Sequence, residues 1–591
     1  MRFQTVRLSR IGPWILLALV VAIAVSKAWV CDDAFITLRT ADHWKQGLGP
    51  RWNAAERTQA YTHPLWLIVV TAATAVTRED YATTMVLGLL CTAAAAWLLG
   101  RRVATSAAGA GAALGLIALS RAAGDYATSG LENPLLHCAT VAFVLAITRP
   151  APRPLVLGAI AGAAMCTRLD AALLFMPALA AYALRAGRAD ARRALLAAAL
   201  PVAAWEAWAA FYYGSLLPNS AVAKLSSGFP AAELARRGVG YLMSCTAGDA
   251  VTTLALGIGL WCAARAARPG QERTELAART PAGRTAPAPS TRATLAPTVY
   301  LAAGIVLHVL WVISVGGDFM RGRFLTASLW MAAALIARTA WHPRALVACL
   351  GVATTLALLA PGGPLRRFPA QASRLERSID ARGVADERVF YQPLTSWRAR
   401  GERTPWPDPM TAGIVAQARQ TWAVDPFVDL ARELELLPPN DALPEGAEAA
   451  VARGRLRPVV LVPAVGTYGW YARDRLHVVD LYGLGDPLLA RLPALDPDPL
   501  LLRFAPRLGP LRWRPGHYIR RLPSGYFVTL LTGRNALVDP DLASYWQDLA
   551  LVTRAPLFDP ARLRALPRVL RGGLDPRLLR ARARAASGVG P

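Results

Sequence analysis

Two adjacent carboxylates, Asp32 and Asp33, follow an apolar run over residues 12–29 that is about as long as a membrane span. The pair should lie where this run leaves the bilayer, a place where charged side chains are costly and usually functional. Adjacent side chains point in different directions, so one carboxylate could act as a general base on a hydroxyl group while its neighbour orients it or shares a metal ion. The structural alternative is that Asp33 caps a helix with an apolar face of Phe35, Leu38, Ala41 and Trp44.

Four basic residues near the ends of other apolar runs could bind an anion such as a phosphate group. They are Arg168 in T-R-L-D, Lys224 in L-P-N-S-A-V-A-K-L, and Arg321 and Arg323 in G-G-D-F-M-R-G-R. The glycines of the last block allow the backbone to approach a ligand closely. Each of these cations could instead be a snorkelling anchor at a membrane surface.

The composition indicates a membrane protein with an attached soluble part. Hydrophobic residues make up 54% of the 591 residues, and the mean hydropathy of +0.31 is too high for an ordinary soluble protein. The net charge is +26, but only Lys27, Lys45 and Lys224 are lysines, and this arginine bias is typical of a GC-rich genome. We therefore expect no nucleic-acid partner. The seven cysteines lack metal-ligand spacing, so neither a zinc site nor a disulfide framework is predicted.

Twelve apolar runs predict the helices that must position these residues. They cover 12–29, 64–77, 82–99, 105–120, 134–148, 155–167, 171–184, 196–212, 250–267, 297–315, 325–340 and 345–360. Arginine-rich loops alternate with the loops that carry the motif residues, and the positive-inside rule places the arginine-rich loops in the cytoplasm. The motif loops are then external. No small-residue cleavage site precedes Cys31, so we expect the first run to remain as a span.

One pair of runs does not fit this alternation. His63 should be external and Arg101 internal, yet the two runs 64–77 and 82–99 lie between them. We expect one run to be re-entrant or interfacial, which leaves about 11 spans and an external C-terminus; alternatively both span and Arg101 breaks the rule. The predicted fold class is therefore a polytopic α-helical membrane protein.

Two segments outside the spans differ in composition. Residues 264–297 are rich in Ala, Arg, Thr and Pro, which is typical of a disordered linker and here a cytoplasmic one. After residue 361 the apolar runs shorten to strand length, as at 458–463 and 526–531. These patterns predict a transmembrane module, 1–360, with a first outer loop at 31–63, and a C-terminal mixed α/β extracytoplasmic domain, 361–591.

The first outer loop carries the most specific pattern in the chain. It reads D-D-A-F-I-T-L-R, then G-L-G-P-R-W-N, and ends with E-R-T-Q-A-Y-T-H-P-L-W. These blocks resemble the first outer loop of the C-type glycosyltransferases, membrane enzymes that take sugars from polyprenyl phosphates. They look most like the terminal arabinofuranosyltransferases of actinobacterial cell walls, whose G-G-D-F-M-x-G-R block is also similar to the one found here. A related bacterial group, associated with flagellar motor control, carries a similar opening and closing.

The resemblance implies glycosyl transfer and roles for named residues. Asp33 would be the general base, with Asp32 beside it. The donor phosphate would bind Arg321, Arg323, Lys224 and Arg168, and the substrates would also contact His63, Tyr61, Glu132, Asn219, Asp318 and Asp170. The implied partners are a polyprenyl-phosphate sugar such as arabinofuranose, a cell-envelope polysaccharide acceptor and the lipid bilayer. The metal is unknown, and a divalent cation remains an option.

Two other functions stay open from the sequence alone. The chain could be a regulator of the flagellar-motor-control type, or a transporter of lipid-linked sugars, because charges at span ends also suit a translocation path. A transporter would favour charges in mid-span and inverted repeats, and neither pattern is visible. No nucleotide-binding fingerprint is present, which argues against a nucleotide-sugar donor. In the C-terminal domain, the blocks with Asp480, Asp486 and His517 are expected to bind the acceptor glycan.

Overall fold

The computed structural model describes residues 2–267, 297–365, 378–397 and 426–587, with short gaps at 439–440, 442–444, 454, 457, 463–464 and 473–475. The predicted linker, 264–297, lies almost entirely outside the described residues. Within them helix predominates, and the named strands form one two-stranded sheet.

Each predicted apolar run coincides with a helix of the first 360 residues. In chain order the helices are α1 (Arg2–Ser26), α2 (Asp32–Lys45), α3 (Pro64–Thr77), α4 (Tyr81–Leu98), α5 (Ala107–Leu119), α6 (Arg121–Asp125), α7 (Asn133–Ile147), α8 (Pro154–Thr167), α9 (Ala171–Ala183), α10 (Arg188–Tyr213), α11 (Asn219–Leu225), α12 (Ala231–Gly248), α13 (Ala250–Ala266), α14 (Pro297–Ser314), α15 (Thr326–Ala337) and α16 (Pro343–Leu359). Proline occupies the first turn of α3, α8 and α16, where its missing N–H costs no hydrogen bond.

Three helices in the described residues are long and apolar enough to cross a membrane: Tyr81–Val103, Arg188–Tyr213 and Pro297–Ser314. The first of these is α4 with its π-helical continuation. Helices α12 and α13 meet at a bend of 107° and together form a fourth candidate. Of the two runs in question, 82–99 thus belongs to a candidate span, whereas 64–77 forms a shorter apolar helix. The total of about 11 spans stays a prediction.

Small residues allow the helices of this bundle to approach closely. A Cβ atom added at Gly158 of α8 would lie 2.1 Å from the carbonyl oxygen of Ala194 in α10. The same addition at Gly304 of α14 would lie 2.3 Å from the carbonyl oxygen of Leu174 in α9. Backbone contact of this kind is typical of membrane helix pairs. It fixes how α8 packs on α10 and how α14 packs on α9.

The C-terminal part is built from short helices around a small parallel sheet. Its helices are α17 (Glu387–Thr395), α18 (Pro426–Glu433), α19 (Ala447–Ala452), α20 (Gly466–Ala472), α21 (Pro499–Phe504), α22 (Tyr526–Thr532), α23 (Pro540–Arg554), α24 (Pro560–Val569) and α25 (Pro576–Ser587). Strand β1 (Val459–Val462) pairs in parallel with β2 (His477–Asp480). Strand β1 confirms the prediction at 458–463.

The predicted strand at 526–531 is wrong, because this segment is helix α22. Glycines in the left-handed conformation bound the helix, Gly525 with φ 82° and Gly533 with φ 72°. Most of its side chains are buried, so the apolar run shows no helical period that could have distinguished it from a strand.

The first outer loop packs as part of the C-terminal core. Trp52 lies in the same cluster of buried side chains as both strands. The buried guanidinium of Arg39 donates to the carbonyl oxygen of Trp52 at 2.8 Å and also to that of Gly469. Arg57 donates to the carbonyl oxygen of Val552 at 2.7 Å. These bonds hold α2 and the rest of the first outer loop against the C-terminal part.

Candidate active site

Asp33 lies in the first turn of α2 and forms an ion pair with Arg323. Nη1 of the arginine is 3.2 Å from Oδ2 of Asp33 and 3.9 Å from Oδ2 of Asp318, and its Nη2 is 3.4 Å from Oε1 of Glu132. The Arg323 side chain is 9% exposed, whereas that of Asp33 keeps 25%. The arginine therefore orients a carboxylate that a ligand can still reach.

The surroundings of Asp33 give it the protonation behaviour of a base suited to neutral pH. Burial raises the pKa of this carboxyl to about 6; Arg323 opposes the rise, while Asp32 and Asp318 add to it. At pH 7 such a carboxylate is mostly ionised, yet it accepts a proton more readily than an ordinary aspartate. Perturbed carboxyl groups of this kind are concentrated at functional sites.

Glu132 anchors Arg323 from the opposite side. Its fully buried carboxylate lies 2.8 Å from Nη1 of Arg168 and 3.2 Å from Nδ1 of His63. Burial alone would raise the pKa of Glu132, but Arg323, His63 and Arg168 together hold it well below its usual range. Nε2 of His63 is 2.7 Å from the hydroxyl of Thr37 in α2. His63 and Glu132 therefore hold the arginine and α2 in place.

Asp170 extends this network into the helix bundle. It accepts from Nε of Arg168 at 3.0 Å, and its Oδ2 is 3.2 Å from Nε2 of His308. Nδ1 of His308 lies 2.9 Å from the hydroxyl of Ser328. Asp170 thus supports Arg168 at the end of α9 and has no contact with Asp33.

Lys224 of α11 lies within electrostatic range of Asp318 and Asp33. Its Nζ is 5.9 Å from the ring centre of Phe324, and Cζ of Arg168 is 4.8 Å from that ring. Burial lowers the pKa of Lys224, and Asp318 and Asp33 are the anions that oppose the lowering. Within the described part of the chain Lys224 forms no ion pair. Its ammonium group is therefore available to an anionic ligand next to Asp33.

The G-G-D-F-M-R-G-R block is divided between two places. Arg321 does not join Arg323: its Nη2 is 3.3 Å from Asp380, its Nη1 is 3.7 Å from Asp386 and its Nε donates to the hydroxyl of Ser244 at 3.2 Å. The turn at Gly322, with φ 80°, sends the two arginines in different directions. Arg321 is thus part of a separate ion-pair cluster.

Asp32 is turned away from Asp33 and binds the C-terminal part. Its Oδ2 accepts the N–H of Gly466 at 2.8 Å, and its Oδ1 accepts the N–H and the hydroxyl of Thr467 at 2.8 and 2.9 Å. A Cβ atom at Gly466 would lie 1.8 Å from the carbonyl oxygen of Asp32, so this approach requires glycine. The capping alternative for Asp33 is wrong, because Cys31 holds the cap position of α2 without a side-chain hydrogen bond.

Two other predicted substrate residues are engaged in packing. The hydroxyl of Tyr61 is 2.8 Å from that of Tyr213, which donates to the carbonyl oxygen of Pro50 at 2.6 Å. The amide of Asn219 donates to three carbonyl oxygens of the turn 483–486, at 2.8 to 3.1 Å. These contacts hold the first outer loop and α11 in place and do not bring either side chain to Asp33.

Of the C-terminal residues predicted to bind the acceptor, Asp480 and Asp486 are bonded within the fold and only His517 contacts the G-G-D-F block. Asp480 accepts backbone N–H groups of its own turn, including that of Tyr482 at 2.8 Å, and Asp486 accepts the hydroxyl of Tyr526 at 2.9 Å. Both carboxylates are therefore used within the fold. The ring of His517, in contrast, lies edge-on to Phe319 of the G-G-D-F block, 4.2 Å between ring centres. This contact places the P-G-H-Y block beside the G-G-D-F block.

Two charged residues in the electrostatic surroundings of Asp33, Glu387 and Arg514, are not among the residues that the motifs predict. Glu387 begins α17 and is electrostatically coupled to Asp33, and Arg514 is the strongest opposing charge on Glu387. Arg514 stands three residues before His517, so the same block could have indicated it. The segment A-D-E-R around Glu387 carries no recognisable pattern. No group of three or more His, Cys, Asp and Glu side chains suited to a metal ion occurs among the described residues.

Comparison with curated proteins identifies relatives along most of the chain. It is 28% identical over 528 residues to a terminal β-(1→2)-arabinofuranosyltransferase of Corynebacterium glutamicum, covering 80% of this chain and 72% of the relative. It is 33% identical over 333 residues to a terminal β-(1→2)-arabinofuranosyltransferase of Mycobacterium tuberculosis, covering 51% of each chain. The chain is thus similar in sequence to two terminal arabinofuranosyltransferases. No family model and no solved structure matches it.

This homology confirms the predicted resemblance and supports a membrane glycosyltransferase. Because an alignment over 80% of the chain exceeds the first 360 residues, it includes part of the C-terminal region. The apolar helices are consistent with the membrane setting. The site that the geometry assembles around Asp33 thus lies in a homologue of sugar-transferring enzymes.

Proposed function

We propose that this protein transfers arabinofuranose from a polyprenyl-phosphate donor to a cell-envelope glycan. The observation that carries the proposal is the ion pair of Asp33 with Arg323 beside the unpaired ammonium of Lys224. A base for the acceptor hydroxyl and a cation for the leaving phosphate are the groups that such a transfer needs. The names of the two relatives supply the sugar.

Asp33 takes the proton of the acceptor hydroxyl as the oxygen attacks the anomeric carbon of the donor sugar. The bond between that carbon and the phosphate oxygen breaks, and the polyprenyl phosphate leaves with the electron pair. Lys224 binds the leaving phosphate and stabilises the charge that grows on it. Arg323 keeps the Asp33 carboxylate ionised and oriented. Arg168 holds Glu132, which in turn holds Arg323.

The proposed site is on the outer face of a bundle of about 11 spans. Glu132 directly precedes α7, Arg168 lies between α8 and α9, and Arg323 begins the short turn before α15, so we place the site at one edge of the bundle. The positive-inside rule puts this edge opposite the arginine-rich loops. The transmembrane module, 1–360, then carries the base and the cations, and the extracytoplasmic part, 361–591, covers them with the loop at His517.

Purified protein tests the proposal directly. It is incubated with polyprenyl-phosphate arabinofuranose, radiolabelled in the sugar, and a synthetic arabinofuranose oligosaccharide. We expect the label to appear in an oligosaccharide one sugar longer. Transfer from a nucleotide sugar but not from the lipid donor would overturn the donor assignment. Movement of the labelled lipid across vesicle membranes without any product would identify a transporter instead.

A further inference from the structure

A cavity lies between α6, the turn at Arg321 and Gly322, and the start of α17. Glu387, the first residue of α17, is part of its lining, as are the aromatic side chains of Trp29 and Tyr126. No motif of the sequence analysis includes this cavity. The backbone of Ala385, two residues before Glu387, pairs with that of Phe319 and Arg321, so Glu387 lies close to the turn that carries Asp318. The charge of Asp33 also raises the pKa of Glu387 across this region.

The neighbours of Glu387 in the chain are already paired, but Glu387 is not. Asp386 accepts a hydrogen bond from Arg121 and caps α17 by accepting the N–H of Val389 at 3.3 Å. Nε of Arg388 is 2.5 Å from Asp125. Glu387 forms no hydrogen bond or ion pair within the described residues, and its side chain is only half buried. Its carboxyl group is therefore held by the helix start yet free for a ligand.

Several elements place charges around this side chain. The charged groups that face Glu387 or line its cavity are Asp32 and Asp33 of α2, Arg121 and Asp125 of α6, Asp249 between α12 and α13, Asp318 and Arg321 of the 316–322 turn, Asp386 and Arg388 on either side of Glu387, and Arg514 of the C-terminal loop. Burial raises the pKa of Glu387 to about 8; Arg514 opposes the rise, while Asp33 and Asp32 add to it. At pH 7 the carboxyl group is mostly protonated and can donate a hydrogen bond.

We propose that Glu387 is an acceptor-binding acid, which donates a hydrogen bond to a hydroxyl group of the acceptor glycan next to Asp33. The inference rests on the proposed function, since it assigns a residue to the acceptor side of that reaction. The donor phosphate has its cation in Lys224, whose surroundings include Asp318, Arg323 and Arg168. The arginines that line the cavity, Arg121, Arg321 and Arg388, are already paired with aspartates. A neutral acid beside them suits a sugar hydroxyl better than a phosphate.

Steady-state kinetics with the synthetic arabinofuranose oligosaccharide tests the assignment. Loss of one hydrogen bond to the acceptor should raise its KM about tenfold in Glu387→Ala and leave the KM of the lipid donor unchanged. Glu387→Gln keeps an N–H donor and should raise the acceptor KM by less, about threefold. Glu233→Gln, on the surface of α12, is the matched control and should behave as the unmodified protein. An unchanged acceptor KM in Glu387→Ala, or an equal rise in both KM values, would overturn the inference.

The pH dependence gives a second readout that a purely structural role would not change. Above about pH 8 the Glu387 carboxyl ionises and can no longer donate, so the acceptor KM should rise with pH in the unmodified protein. This rise should be absent in Glu387→Gln. Burial lowers the pKa of Lys27 to about 8, so Lys27 could also titrate in this pH range. If the acceptor KM still rose with pH in Glu387→Gln, the rise would be due to Lys27 and the role of Glu387 would be refuted. Absence of any transfer by the unmodified protein would instead remove the proposed function itself.

Discussion

The ion pair between Arg323 and Asp33 predicts how activity responds to pH when the arginine is removed. Burial raises the pKa of Asp33 to about 6 while Arg323, 3.2 Å away, opposes the rise. Two unit charges about 4 Å apart interact by about 4 kcal/mol at an effective dielectric constant of about 20. Water that enters the vacated space recovers part of this energy. We therefore expect the pKa of Asp33 to rise by about 1–3 units in Arg323→Ala.

A shift of this size changes how much of the base is ionised at pH 7. With a pKa near 6 about nine tenths of Asp33 carries its charge, and with a pKa of about 8 only about one tenth does. Turnover at pH 7 should therefore fall about tenfold from this cause alone. Because the base must be ionised, activity rises with pH through the pKa of Asp33, and the midpoint of that rise should move to higher pH.

The assay is turnover at saturating acceptor and donor between pH 5 and about pH 9, per molecule of monodisperse purified protein. Removing one partner of a buried ion pair costs about 3–5 kcal/mol, so the folded fraction is measured for each variant. Arg321→Ala is the control, because Arg321 pairs with Asp380 and Asp386 and should leave the midpoint unchanged. Arg323→Lys keeps the charge and should keep the midpoint near that of the unmodified protein. An unshifted midpoint in Arg323→Ala would refute the coupling.

Three further predictions follow from the same contacts. Lys224→Ala should weaken binding of the lipid-linked sugar and slow transfer about 10²-fold, because the growing negative charge on the phosphate loses a hydrogen-bonding cation. Lys224→Arg should recover part of the activity. Equal turnover per folded molecule in Lys224→Ala and the unmodified protein would show that Lys224 does not belong to the site. Asp32→Ala should lower stability, because each backbone N–H left unpaired costs about 1–3 kcal/mol, and a thermal unfolding curve identical to that of the unmodified protein would contradict this role. Leu225 and Leu184 are both exposed, and the positive-inside rule places them on opposite sides of the membrane. In a cysteine-free background, Leu225→Cys should react with an impermeant thiol reagent added to intact cells, and Leu184→Cys should not. The reverse pattern of labelling would show that the topology is inverted.

The helices could be predicted from the sequence because a membrane helix requires a long apolar run. All twelve runs are helical, and strand β1 lies where its apolar pattern placed it. The segment 526–531 could not be assigned, since a short run buried on most sides reads the same as helix or strand. Helix α12 is not among the predicted apolar runs, because polar residues such as Arg236 and Arg237 lower the hydropathy of its segment.

The site could be predicted in part, and the limits have a physical cause. Asp33, Arg323 and Lys224 were named from their blocks, and the structure brings all three together. Asp33 faces the site because Asp32 is held elsewhere by the backbone of Gly466. Gly466 is more than 400 residues away in the chain, so the sequence does not reveal this contact. The different positions of Arg321 and Arg323 also depend on the fold, because the turn at Gly322 sends the two side chains in different directions.

Turnover of Asp33→Asn is the most direct test of the proposed mechanism. The variant keeps the size of the side chain and removes the base, so transfer from polyprenyl-phosphate arabinofuranose should fall about 10²- to 10⁴-fold per folded molecule, with the donor still bound. Full turnover of Asp33→Asn across the pH range would contradict the assignment of Asp33 as the base.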